Sequence, residues 1–196
     1  MATIRIPSES RLLTDTDEVV SYLTEAGIWH ERWPVAGCLE DHFSQDQILA
    51  AYAREIEVLK ARGGYVTADV INVTPDLPGL QAMLDKFNKE HTHAEDEVRF
   101  IVKGSGVFHI HPVGGAVFAI EVGPGDLINV PAGTRHWFDL CVERTICAIR
   151  LFRESAGWTP LYTDSEIANG YAPLCLGPSY MRGHPLRLDQ PALPVA

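Results

Sequence analysis

Three histidines, a glutamate and an arginine form the densest chemistry in the 196-residue sequence: His91, His93, Glu97 and Arg99 lie close together, and His136 follows further along. Side chains alternate faces in an extended strand, so His91, His93, Glu97, Arg99 and Ile101 share one side while Val98, Phe100 and Val102 pack on the other. Burying two imidazoles, a carboxylate and a guanidinium on one interior surface without a partner costs several kcal/mol, as a rough estimate. A divalent metal ion is the simplest way to offset that cost. A second stretch, Gly125 to Phe138, reads as a short apolar strand, a Pro131-Ala-Gly133 turn and a new strand opened by His136, which can supply a fourth ligand. Phe138, two residues beyond His136 and therefore on its face, is placed to form an apolar wall.

The elements that must carry these residues are legible in outline. A strand is expected over residues 2–6. A helix capped by Thr14 or Thr16 then carries Val19, Val20, Leu23 and Ala26 and stops at Gly27. Residues 28–34 read as an edge strand or packed arm. Ser44 and Gln47 form a capping box for one helix carrying Ile48, Tyr52, Ile56 and Leu59, ended by Gly63-Gly64. A strand over 65–73 and a helix over 80–89 capped by Asp76 lead to His91. From Glu97 the pattern becomes hairpins, with strands to 102 and over 107–111, 116–122, 127–130, 136–142 and 145–152. Many short strands with an inward polar cluster predict a mainly-β fold, a small β-barrel or jelly roll with flanking helices. The expected organisation is one domain over residues 1–170, with an N-terminal helical layer and a barrel core at about 65–152. A Pro-rich tail over 171–196 wraps the surface, assists dimerisation or covers the barrel mouth.

Composition narrows the partners. The formal net charge of -10 opposes polyanions, because nucleic-acid affinity depends on neutralising phosphates. No apolar run reaches the length of a membrane span, and the first residues lack the apolar core of a secretory signal, so a cytoplasmic protein is expected, monomeric or weakly homo-oligomeric. Cys38, Cys141, Cys147 and Cys175 are scattered, which reads as reduced thiols.

The spacing H-x-H-x3-E-x6-G (His91 to Gly104) followed by G-x5-P-x-G-x2-H (Gly125 to His136) resembles the two-part cupin motif. Leu140 departs from it, standing where asparagine is common. The motif implies a fold and a metal but no particular reaction. The flanking segments 89–100, Val130-Pro131, His136-Trp-Phe-Asp139, Ala148-Ile-Arg-Leu-Phe152 and Ala156-Gly-Trp158 are similar to the acireductone dioxygenase family. The likeness covers most of residues 15–165 and ends near Tyr171. The resemblance implies that His91, His93, Glu97 and His136 hold one Fe2+, or alternatively Ni2+, per chain. It implies cleavage of acireductone with O2 in methionine salvage, and contact of Arg99 with the substrate's anionic oxygen. Three neutral imidazoles and a carboxylate leave an octahedral divalent ion two adjacent positions, enough for a bidentate enediolate, although cobalt and manganese suit the same ligands. Other readings stay open here: another metal cupin dioxygenase, or a non-catalytic small-molecule-binding cupin. Arg99 can instead pair with Glu95 or Asp96, and Phe138 and Trp158 can be ordinary core. His30 reads as a satisfied or solvated histidine, and His109-Ile-His111 is a rival pair with Gly115 where a carboxylate would be needed.

Overall fold

The computed structural model describes residues 1–36, 43–154 and 158–171. Two antiparallel sheets face each other. The seven-stranded sheet runs in the order β12 (Leu161–Tyr162), β5 (His91–Thr92), β10 (Arg135–Leu140), β7 (Gly106–His111), β8 (Phe118–Val122), β1 (Thr3–Ile6) and β2 (Arg11–Leu13). The five-stranded sheet runs β3 (Trp29–Arg32), β9 (Asp126–Val130), β6 (Glu97–Gly104), β11 (Ile146–Phe152) and β4 (Thr67–Val73). This is the expected mainly-β cupin architecture.

Strand alternation sorts the side chains into layers. Ile101, Phe108, Ile110, Ile120, Ile128 and Ile146 fill the space between the sheets, joined by Val19 and Leu23 of α1 (Thr16–Glu25). Val98, Phe100 and Val102 point the other way, into a second core with Ile48 of α2 (Gln45–Ala51) and Ile56 and Leu59 of α3 (Ala53–Gly63). The odd-numbered face of β6 is therefore the interior one. Gly104 ends the first half of the motif with φ 74°, and a Cβ there would lie 2.0 Å from the Thr145 carbonyl oxygen, so only glycine fits.

Several expectations need correction. His91 and Glu97 do not share one strand: β5 ends at Thr92, and the chain crosses to the other sheet before β6 begins. The cap of α1 is Asp15, whose carboxylate accepts from the N–H groups of Asp17 and Glu18 at 3.0 and 3.2 Å, rather than Thr14 or Thr16. The Ser44 capping box is present, but the single helix expected after it is two, broken at Tyr52 (φ -114°, ψ 19°). Tyr52 packs its ring 4.8 Å from Phe100 and accepts the Ala36 N–H on its hydroxyl, so tertiary contacts override helical continuity. The helix α4 (Leu80–Phe87) starts at Gly79, in the left-handed region at φ 77°, while Asp76 bonds locally with Thr74. The N-terminal layer is not only helical, since β1, β2 and β3 complete the two sheets. Residues 28–34 do supply an edge strand, β3.

Of the cysteines, Cys147 is a free buried thiol as expected, whereas Cys141 is disulfide-bonded. That withdraws the cysteine pattern as an argument for a reducing compartment. Cys38, Cys175 and the expected course of the tail from residue 172 onward lie outside the described residues. No helix among the described residues is long and apolar enough to cross a membrane.

Candidate metal centre

Three strands and the loop after β5 deliver the four candidate ligands to one end of the interior. His136, second in β10, lies directly opposite His91 of β5, so those two imidazoles form a cross-strand pair with ring centroids 4.6 Å apart. His93 follows β5, its ring 4.8 Å from His91 and 5.2 Å from His136. Glu97 opens β6 on the facing sheet. The Gly133 N–H donates to the His93 carbonyl at 3.0 Å, which ties the Pro131–Arg135 turn to the first half of the motif. All four side chains are at most 4% exposed, and their ligand atoms lie within 4.8 Å of one another.

The hydrogen bonding orients each ring. Nδ1 of His91, His93 and His136 faces the backbone carbonyls of Lys89 (2.6 Å), Thr159 (3.0 Å) and Thr134 (2.8 Å). A carbonyl only accepts, so each Nδ1 carries the proton and each Nε2 keeps a lone pair aimed inward. The Nε2 atoms of His91 and His93 are buried without a hydrogen-bond partner. Glu97 Oε2 lies 3.0 Å from Nε2 of both His93 and His136. Three lone pairs and a carboxylate oxygen facing one another repel unless a cation sits among them, and nitrogen and oxygen donors of this kind suit first-row divalent metals. Burial, then the neighbouring His136, pushes His91 down to about 4, so its ring is neutral and ligand-ready at neutral pH.

The other oxygen of Glu97 accepts from Arg99 Nε at 2.6 Å. Burial alone would raise the Glu97 carboxyl, but the Arg99 guanidinium beside it holds it well below the usual range. Arg99 is 4% exposed, and burial lowers its own pKa against the pull of Glu97. Its guanidinium carbon sits 5.1 Å from the Phe138 ring, 5.3 Å from Trp158 and 5.7 Å from Phe108. The alternative pairing with Glu95 or Asp96 does not occur: Glu95 accepts from the backbone N–H groups of Arg153 and Glu154, and Asp96 pairs with the Arg153 guanidinium. On the same rung Arg99 faces Arg150, which grips Asp69 with two bonds of 2.8 and 2.6 Å, so each of the adjacent cations has its own carboxylate.

Arg99, Arg150 and Phe138 line a tight cavity with Ile71, Met83 and Phe87, whose non-atom space, open mouth included, is about 400 Å³. Phe138 is thus a cavity wall. Trp158 stands beside the site, stacked on His93 at 6.1 Å and donating its indole N–H to the Asp96 carbonyl.

The remaining histidines sort as follows. His30 bonds Asp126 through Nε2 at 3.0 Å, while its buried Nδ1 has no hydrogen-bond partner among the described residues. His109 is fully buried and stacked on Trp137, facing away from the interior, and His111 binds Glu90, so the rival pair gathers no ligand set. Sequence reasoning missed Phe87, 5.8 Å from His91, and the Arg150–Asp69 pair. A charged residue inside the apolar run of β11 was the available signal for the pair.

The sequence matches the ARD/ARD' family over residues 9–160. It is 43% identical over 176 residues to the acireductone dioxygenase of Picosynechococcus sp., covering 90% of this chain and 100% of that protein. It is 44% identical over 161 residues to the acireductone dioxygenase of Pseudomonas aeruginosa, covering 82% of this chain and 88% of that one. Among solved structures, the acireductone dioxygenase from Bacillus anthracis with a cadmium ion in its active centre is similar at a TM-score of 0.76 and 39% identity. That match covers 83% of this chain and 98% of that one. With the paired motif halves meeting at one buried cluster and the likeness running almost the length of the chain, the protein belongs to the ARD/ARD' family.

Proposed function

We propose that this chain is a metal-dependent acireductone dioxygenase acting in methionine salvage, with His91, His93, Glu97 and His136 holding one divalent ion. The observation that carries this reading is the convergence of three imidazole Nε2 atoms and Glu97 Oε2 beside Arg99, which also lines an apolar cavity. When bound, Fe2+ or Ni2+ would act as a Lewis acid that orients a chelating enediolate for reaction with O2. By resemblance, iron gives 4-methylthio-2-oxobutanoate and formate, and nickel gives 3-methylthiopropanoate, formate and carbon monoxide.

The chain's own residues do the rest. Glu97 stays ionised because Arg99 holds it, and the neutral histidines keep their protons on Nδ1, bonded to carbonyls. Arg99 presents a fixed positive charge to the substrate's oxyanion from a buried position. Phe138, Met83 and Phe87 offer an apolar wall for a methylthioalkyl tail. The cytoplasm is the compartment this role implies.

The test is anaerobic loading of metal-free protein with Fe2+ or Ni2+, then oxygen uptake and product identification with acireductone. Turnover is expected with wild type, and loss of both metal and turnover with Glu97→Ala. Stoichiometric metal binding with no oxygen uptake would point to a binding cupin, and full activity in Glu97→Ala would overturn the ligand assignment.

A further inference from the structure

Glu90, next to His91, is 2% exposed, and strand alternation turns it away from the ligand cluster. Its Oε2 meets His111 Nδ1 of β7 at 2.5 Å, and its Oε1 accepts from the Thr163 hydroxyl at 2.7 Å. The Glu90 carbonyl also accepts the Thr163 N–H at 3.2 Å. One buried carboxylate thus ties β5, β7 and the chain leaving β12.

The segment held in this way touches two of the three imidazoles. Thr159 supplies the carbonyl that orients His93, Leu161 and Tyr162 pair with Thr92 and His91, and the Tyr162 hydroxyl donates to the Lys86 carbonyl. The strand β12 has only two residues, 54% and 48% exposed, and lies at the sheet edge. So short a ladder does not hold itself in place.

We propose that Glu90 and Thr163 form a positioning clasp that fixes the 158–163 strap and through it the aim of His91 and His93. The clasp takes no part as a ligand, and the inference rests on reading the four-residue cluster as a metal site. Outer partners that orient metal-binding histidines typically govern affinity by 10–100-fold.

The experiment uses the full chain without metal, titrated with Co2+ by calorimetry and by visible absorption, which reports ligand geometry independently of turnover. Thr163→Val should weaken Co2+ binding about tenfold and alter the absorption bands while the metal-free protein still unfolds in one cooperative transition. Thr163→Ser, which keeps the hydroxyl, should restore both readouts, and Glu90→Gln should shift them in the same direction as Thr163→Val. Wild-type affinity and spectrum in Thr163→Val, or equal weakening in the serine variant, would overturn the clasp. Unchanged Co2+ binding in His91→Ala would instead overturn the metal site itself.

Discussion

Replacing Arg99 with methionine isolates the electrostatic logic of the site. The wild-type pair is buried on both sides, with Arg99 Nε 2.6 Å from Glu97 Oε1 and the two side chains 5% and 2% exposed. Methionine fills much of the volume but strands the carboxylate, and removing one partner of a buried pair costs about 3–5 kcal/mol. For a domain of this size each kcal/mol moves the midpoint by about 2–4 °C, so metal-free Arg99→Met should melt about 6–20 °C below wild type. The deficit depends on pH. In wild type the depressed Glu97 pKa contributes stability that is present above its unfolded value and lost as pH falls through the folded one. In the variant, burial is left to raise that pKa, so protonation relieves the penalty and the deficit shrinks on acidification. A divalent ion beside Glu97 replaces the lost positive charge, so saturating Ni2+ should also narrow the gap. Calorimetric melts at pH 8 and pH 5, with chelator and with Ni2+, measure all three effects. A metal-free variant melting within about 2 °C of wild type at pH 8, or a deficit indifferent to metal, would refute the reasoning.

Two further outcomes follow from other contacts. A Cβ at Gly106 would lie 2.2 Å from the Phe138 ring and 3.1 Å from the Asp139 carbonyl oxygen, so Gly106→Ala must push Phe138 toward the cavity. Its kcat/KM should fall about tenfold at unchanged metal content, with about 1–3 kcal/mol lost from stability; steady-state kinetics beside elemental analysis decide it, and unaltered kcat/KM would deny Phe138 a role. Asp139 is raised to about 7 by burial, so the folded state holds its proton more tightly than the unfolded one. That contribution is fully present below the unfolded pKa near 4 and is lost as pH rises through about 7. Metal-free Asp139→Asn should lack this loss, and urea midpoints that run parallel to wild type from pH 5 to pH 8 would count against it.

Sequence alone determined the periodicity and the punctuation. Alternation along residues 97–102 told which face of β6 is interior, the Ser44 box marked a helix start, and the spacing of His91, His93, Glu97 and His136 named the cluster, because these signals are local and survive in one dimension. Helix ends were less legible, since Thr14, Asp15 and Thr16 are all competent caps and only the path of the chain selects one. Tertiary structure decided what depends on elements distant along the chain. It put His91 and Glu97 on opposite sheets, gave Arg99 to Glu97 instead of Asp96, set Arg150 against Arg99, and bound Thr163 to Glu90. Each outcome is a competition among chemically equivalent partners, and sheet register and burial settle it by fixing which charges lie within bonding distance away from water.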